Sequence, residues 1–180
     1  MKKIILLLLL IPFLGYGQKI RENKVDKFTG QHLIETSEES LIKGNKWKNQ
    51  WNKIHMSLRY VDGDWVLPTF IELEEIEKYD QNSRLIFLLG NGETIILPSL
   101  YTGIGSEDVP GVLGGVKSGV YGFSTVFPLT NEDVNKLQIN IITDVRLSVM
   151  GHNYDFEVGK KEQDLIQKMI QLINHNINKK

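Results

Sequence analysis

The segment closest to a phosphate-binding motif lies in a glycine-rich part of the chain. The run Gly111-Val112-Leu113-Gly114-Gly115-Val116-Lys117-Ser118 has the spacing of a P-loop, except that Val116 stands where the second glycine belongs. A P-loop leads from a strand into a helix, so that backbone amides surround the phosphates. Here the pattern of a strand follows, from Val120 to Phe127. We therefore predict no nucleotide site and no cofactor.

Histidines and carboxylates can serve in catalysis or metal binding, but their spacing here matches no complete catalytic or metal-binding site. The four histidines are scattered, and His152 with Asp155 would supply at most half of the ligands of a catalytic zinc. The carboxylates between Glu72 and Glu77 leave open an acid and base pair for glycoside hydrolysis. No serine has the Gly-x-Ser-x-Gly setting of a hydrolase nucleophile, and there is no cysteine. The sequence thus nominates no catalytic or metal-binding residue.

A long glycine-rich loop is the stronger candidate for a contact surface. Tyr101 to Gly122 holds seven glycines in 22 residues and has almost no periodicity. Loops of that length in compact domains tend to be functional or disordered, and binding residues concentrate on loops held by a rigid scaffold. The candidate contact residues are Tyr101, Gly103, Gly105, Gly114, Gly115 and Lys117.

Two tryptophans form a second candidate surface. Trp47 and Trp51 are four residues apart, which places both indoles on one side of a helical turn. Such a pair can stack on a sugar ring or can close the edge of a hydrophobic core. Both readings stay open.

The elements that must position these residues are mostly strands. The alternation from Lys53 to Tyr60 has the period of a sheet with one wet face. Asp62-Gly63 predicts a type I′ turn, because both central positions of that turn need positive φ. Trp65 to Leu73 is then the returning strand, and Pro68 makes it either an edge strand or a bulged one.

A second hairpin surrounds Gly90-Asn91-Gly92, with strands from Leu85 to Leu89 and from Glu93 to Leu97. Their nearly continuous apolar character predicts burial on both faces at the middle of the sheet. Another hairpin is expected around Thr29-Gly30.

The last part of the chain predicts two helices and two more strands. Thr130 opens a short helix that ends near Leu137, and a long strand follows from Ile139 to Val149. A turn at Gly151-His152-Asn153 then leads to a strand from Tyr154 to Val158. The apolar stripe of the terminal helix consists of Leu165, Ile166, Met169, Ile170, Ile173 and Ile177.

These elements predict a single α+β domain over residues 18–180. We expect a mostly antiparallel, strongly bent sheet or partly open barrel of about seven strands, with the C-terminal amphipathic helix packed on it.

The first 17 residues have the composition of a secretory signal peptide. Lys2 and Lys3 precede the eleven-residue apolar run Ile4 to Leu14, and Gly15 and Gly17 place small residues at the −3 and −1 positions of a cleavage site. A membrane-spanning helix needs roughly twenty apolar residues. The sequence therefore predicts cleavage between Gly17 and Gln18 and a periplasmic or secreted protein. With no cysteine for a lipid and no stable transmembrane anchor, the mature protein would be free of the membrane.

The net charge of the mature chain limits the kinds of partner that it could bind. Without the leader the chain has 19 lysines and arginines against 22 aspartates and glutamates, a net charge near −3. Binding of nucleic acid depends on a strong basic excess on one face, so nucleic acid is not expected as a partner. A protein, a glycan or an apolar ligand remains.

The basic leader, the segment Lys24-Val25-Asp26-Lys27-Phe28-Thr29-Gly30, several hairpins and a terminal helix together resemble small uncharacterised exported proteins of Gram-negative bacteria. The resemblance implies no activity and no site residues.

Three functions follow as hypotheses. The first is an exported, non-enzymatic binding or interaction module that uses the glycine-rich loop and neighbouring turns. The second is a carrier of an apolar ligand, with a cavity of at least about 300 Å³ lined by Phe87, Phe123 and Phe127. The third is an exported glycan hydrolase, which needs two carboxylates facing each other across a cleft.

Overall fold

The computed structural model describes residues 18–44, 52–74, 78–79, 82–100, 103–104 and 120–179. Within these ranges the chain forms thirteen strands and two helices. The strands are β1 (Ile20–Val25), β2 (His32–Thr36), β3 (Glu39–Ile42), β4 (Lys53–Met56), β5 (Arg59–Val61), β6 (Asp64–Glu74), β7 (Lys78–Tyr79), β8 (Arg84–Leu89), β9 (Thr94–Pro98), β10 (Gly103–Ile104), β11 (Val120–Leu129), β12 (Ile142–Val149) and β13 (His152–Glu157). The helices are α1 (Asn131–Ile139) and α2 (Leu165–Ile177).

The strands form two main sheets in which the pairings are antiparallel. The first sheet has seven strands in the order β1-β2-β5-β6-β4-β3, with β11 also paired along β6. The second sheet has four strands in the order β13-β12-β8-β9, while β7 pairs with β10. The sheets do not close into a barrel. The predicted α+β class, with mostly antiparallel strands and a C-terminal helix, is confirmed.

Two strands of the first sheet are each interrupted, which contributes to the excess of the thirteen observed strands over the predicted seven. β4 and β5 pair with different halves of β6, and Ser57 and Leu58 separate them. β2 and β3 are separated by Ser37 and Glu38 in the same manner. One hydrogen bond joins the two interruptions. The N–H of Thr36, the residue before Ser37, donates to the carbonyl of Leu58 over 3.0 Å. Each interrupted strand therefore counts as two.

Pro68 lies opposite the interruption between β4 and β5. It is in the middle of β6, which has neighbours on both sides, so the edge-strand alternative for this residue is wrong. Proline has no N–H to donate to a ladder. Its carbonyl accepts from the Ser57 N–H over 3.0 Å, and the break in the neighbouring strand removes the need for the missing donor.

The turn between β5 and β6 is the predicted one. Asp62 and Gly63 both have positive φ, at 48° and 109°, as a type I′ turn requires. The turn between β12 and β13 lies one position earlier than predicted, because Met150 and Gly151 have the positive φ values, 50° and 80°. His152 consequently begins β13.

The hairpin of β8 and β9 forms where it was predicted, but the prediction that both of its faces are buried is wrong. Leu85, Phe87 and Leu89 point into the core, whereas Leu88 is 37% exposed and Ile96 is 55% exposed. β9 is also the last strand of its sheet and not a central one.

The core is continuous across both sheets and is completed by the helices. Its members on α2 are Leu165, Ile166, Met169, Ile170 and Ile173, the stripe that the sequence predicts. α2 packs against β2 and α1, and α1 begins at the Thr130 cap with a capping box to Asp133. α1 continues to Ile139, so β12 starts later than predicted. In the described part of the chain, neither helix has the length and apolar character needed to span a membrane.

The turn between β1 and β2 is held by one carboxylate. Asp26 Oδ1 accepts from the backbone N–H groups of Phe28 and Thr29, each over 2.8 Å, and from the Thr29 hydroxyl over 3.1 Å. The Gly30 N–H donates to the Asp26 carbonyl over 2.8 Å, and Gly30 has a φ of 75°. We call Asp26 to Gly30 the Phe28 turn.

Protonation of Asp26 is expected to loosen the Phe28 turn. The N–H groups of Thr29 and Phe28 favour the ionised carboxylate and lower the pKa of Asp26 below its ordinary value of 3.8. A lowered folded-state pKa gives a stabilisation that is complete above the ordinary value and is lost as the pH falls through the folded value. In an NMR titration, the Phe28 and Thr29 amides should follow this lowered pKa. An Asp26→Asn variant that kept the same titration would contradict the assignment.

Candidate functional site

A groove of about 380 Å³ lies on the outer face of the first sheet, beside the interruptions of its strands. We call it the Glu35 groove. It is lined by Arg21, Glu35, Glu38, Ser57, Arg59, Pro68, Thr69, Phe70, Ser124, Thr125 and Val126. These residues belong to β1, β2, β5, β6 and β11 and to the two interruptions, so the strand pairings of the sheet assemble the groove from distant parts of the sequence.

Glu35 is the buried charge of this groove. Its neighbours in β2, Ile34 and Thr36, are fully buried, and the alternation of a strand turns the Glu35 side chain to the opposite face. That face would normally be wet, yet Glu35 is only 4% exposed. Ionised side chains are seldom buried to this extent unless they are paired.

Two arginines and a hydroxyl surround the Glu35 carboxylate. Arg59 is directly opposite Glu35 in the β2–β5 register, and its Nε and Nη2 atoms each lie 2.9 Å from Oε2. The Ser57 hydroxyl donates to Oε1 over 3.1 Å, and Arg21 Nη1 is 3.7 Å from the same oxygen. The Arg59 side chain is 37% exposed and that of Arg21 is 67% exposed. Both guanidinium groups therefore reach the groove while their charge is partly balanced by Glu35.

The floor of the groove is less polar. The register of β6 and β11 pairs Pro68 with Val126 and Phe70 with Ser124. Pro68, Phe70 and Val126 are half-buried, while Ser124 is exposed. A ligand in the groove would meet apolar side chains below it and hydroxyl and guanidinium donors along one wall.

Binding fits this arrangement better than acid–base catalysis. Ser57 and Arg59 donate to the two oxygens of Glu35, so the carboxylate is occupied in orienting Arg59. Glu38 is the other carboxylate of the groove; it is exposed and has no ion pair among the described residues. Arginine has five N–H donors, and Glu35 takes two from Arg59. The remaining donors can bind an acceptor such as a carboxylate.

The candidate contact residues predicted from the sequence fall almost entirely outside the described residues. This holds for Trp47, Trp51, Tyr101, Gly105, Gly114, Gly115 and Lys117. Of the candidate loop, Gly103 belongs to β10 and pairs with Tyr79 of β7. Gly122 lies in β11, paired with Glu72.

The half-site of His152 and Asp155 is not assembled. Both residues lie in β13 three positions apart, so their side chains point to opposite faces. Asp155 instead pairs with Arg146, whose Nε and Nη2 atoms donate to its two oxygens over 2.6 and 2.8 Å. The hydrogen bonds from Arg146 lower the pKa of Asp155. Nowhere in the described ranges do three or more metal-ligating side chains come together.

The other side chains that the sequence analysis named are engaged in ion pairing or in core packing. Glu72 is buried and its Oε2 lies 2.6 Å from Lys53 Nζ on the neighbouring strand. Phe87, Phe123 and Phe127 are buried in the core, and none of them lines the Glu35 groove.

Sequence reasoning missed Glu35 and Arg59. The alternation in β4 and β5 places Arg59 on a wet face, but the sequence does not indicate which strand pairs with that face. The pattern His32-Leu33-Ile34-Glu35-Thr36 is a short strand signal in which a glutamate separates two buried positions. A search for charges of opposite sign at such positions would have selected the pair.

Comparison with known proteins gives no relative on which to base a function. No protein-family model matches the chain, and no curated protein and no solved structure is similar to it.

Proposed function

We propose that this chain is an exported, non-enzymatic binding protein whose ligand occupies the Glu35 groove. The observation that carries the proposal is a nearly buried Glu35 that orients the Arg59 guanidinium above an apolar floor on the outer face of the first sheet. The leader of residues 1–17 supports export, because its basic start and short apolar run are those of a cleaved signal peptide.

The ligand class follows from the wall and the floor. Arg21 and Arg59 favour an anionic head group, since guanidinium groups bind carboxylates through charge-assisted hydrogen bonds. Pro68, Phe70 and Val126 favour a short apolar body. We propose a small amphiphile with a carboxylate head as the ligand, which is a narrower form of the binding-module hypothesis.

Decanoate is a suitable probe, and Arg21 is the residue to change. In an NMR titration of the mature protein, decanoate should shift the amides of Ser57, Thr69 and Ser124. Arg21→Gln should weaken decanoate binding by roughly three- to tenfold, because it removes one of the two guanidinium groups at the groove. Arg21 is mostly exposed, so its loss should have little effect on stability. Decyltrimethylammonium, which has the same tail and the opposite charge, should bind more weakly than decanoate.

A matched control is Arg84→Gln, which removes an exposed arginine from β8 in the second sheet. It should leave decanoate binding unchanged. Shifts centred away from the groove, or equal affinity in the Arg21→Gln variant, would contradict the proposal. Intact mass of the protein recovered from the periplasm tests export separately, since the proposed mature chain begins at Gln18.

A further inference from the structure

The Phe28 turn presents an aromatic ring to solvent. Phe28 is 84% exposed, and Lys27 Nζ lies 4.8 Å from the centre of its ring. An aromatic residue with this exposure at the tip of a hairpin does not contribute to the core of its own chain. It is a typical anchor for an interface, where aromatic side chains contribute a large share of the binding energy.

The Phe28 turn is also preorganised. Three donors converge on Asp26 Oδ1, and the Asp26 N–H donates to the Gln31 carbonyl over 2.8 Å. A turn that is already fixed loses little conformational entropy when a partner binds it.

A groove of complementary character lies on the outer face of the second sheet. We call this groove of about 350 Å³ the Asp144 groove. Its lining includes Ile86, Leu88, Thr94, Asp144, Arg146 and Asp155. Ile96, which is directly opposite Ile86, extends the apolar side and is 55% exposed. The exposed apolar face of the β8–β9 hairpin thus forms one wall of the groove.

The other wall of the Asp144 groove is acidic. Asp144 is directly opposite Glu157 in the β12–β13 register, and like charges in that position destabilise a sheet. Arg146, which lines the groove, is engaged by Asp155 through two hydrogen bonds. Asp144 has no ion pair within the described residues. A cation brought by a partner could pair with the two carboxylates that the β12–β13 register places opposite each other.

We propose that the Phe28 turn of one copy of the protein docks into the Asp144 groove of a second copy. The Phe28 ring packs on Leu88 and Ile86, and Lys27 lies against Asp144 and Glu157. The two surfaces differ, so the contact is heterologous, and repetition yields either a ring or an open filament. The inference does not depend on the ligand of the Glu35 groove, since none of these residues lines that groove.

Two surface variants test the contact. Phe28→Ser removes the anchor and keeps the groove, whereas Leu88→Lys blocks the groove and keeps the anchor. Analytical ultracentrifugation of the mature wild-type protein should show association that grows with concentration. In each variant alone, association should weaken on the order of tenfold or more, as expected for loss of an interface anchor.

A mixture of the two variants gives the sharpest result. The intact groove of Phe28→Ser protein can accept the intact turn of Leu88→Lys protein, and neither copy can extend the chain further. An equimolar mixture should therefore form a one-to-one complex and no larger species. Circular dichroism of each variant is the control that checks whether it is folded.

Other outcomes would overturn the proposal. These are a wild-type protein that stays monomeric at every concentration, a mixture that behaves as the sum of its parts, and variants that associate as the wild type does. Binding of the Phe28 turn to anionic phospholipid vesicles by a monomeric wild-type protein would likewise assign the turn to a different partner.

Discussion

Replacing Phe127 by alanine should lower the free energy of unfolding by about 4 kcal/mol, because truncation of a buried aromatic ring leaves a cavity in the core. Phe127 is fully buried, and it pairs with Leu67 in the register of β11 and β6. If Phe127 lined a preformed ligand cavity, as the carrier hypothesis requires, the ring would have fewer packing contacts to lose. Denaturation by urea measures the difference between these cases.

The chain offers a matched control for this substitution. Phe28→Ala removes the same side chain from a position that is 84% exposed, and it should change the free energy of unfolding by no more than about 0.5 kcal/mol. A loss below about 1 kcal/mol in Phe127→Ala would contradict the packed core and would favour an enclosed apolar site.

Replacing Arg59 by methionine should lower the free energy of unfolding by about 2 kcal/mol, because it leaves Glu35 buried without its main cation. This value is below the usual range for breaking a buried pair, since the Arg59 side chain is 37% exposed and water can partly replace it. Arg21, at 3.7 Å and mostly exposed, compensates only weakly. Chemical denaturation again supplies the measurement.

A second substitution separates loss of the pair from loss of packing. Glu35→Gln in the Arg59→Met background removes the uncompensated charge, and it should restore about 1 kcal/mol. Arg84→Met, an exposed arginine on β8, is the control and should have little effect. If the double variant were less stable than Arg59→Met alone, the carboxylate would not be the source of the cost.

Local signals predicted much of the fold. Asp62-Gly63 determines a hairpin because few residues other than glycine, asparagine and aspartate tolerate the positive φ values of its turn. The stripe from Leu165 to Ile173 predicts α2, because burial of one face with a period of 3.6 has few alternatives. These features depend only on neighbouring residues.

The candidate site could not be predicted in the same way, because it depends on pairings between distant strands. Glu35 meets Arg59 only through the β2–β5 register, and Val126 reaches the groove only through the pairing of β11 with β6. Local sequence is also silent on which face of a strand the rest of the fold covers. Leu88 and Ile96 belong to an apolar run, yet they face outward.

The long pairing of β11 with β6 has a consequence for the speed of folding. Its ladder begins at Glu74 opposite Val120 and ends at Trp65 opposite Leu129, so the two strands meet only after the intervening chain has been closed into a loop. Closing a loop of that length costs entropy before any contact of the ladder repays it. Nascent chains should therefore form the β5–β6 and β8–β9 hairpins early and acquire β11 late. During that interval one side of β6 would lack its partner, so the folding chain would expose an unpaired strand edge.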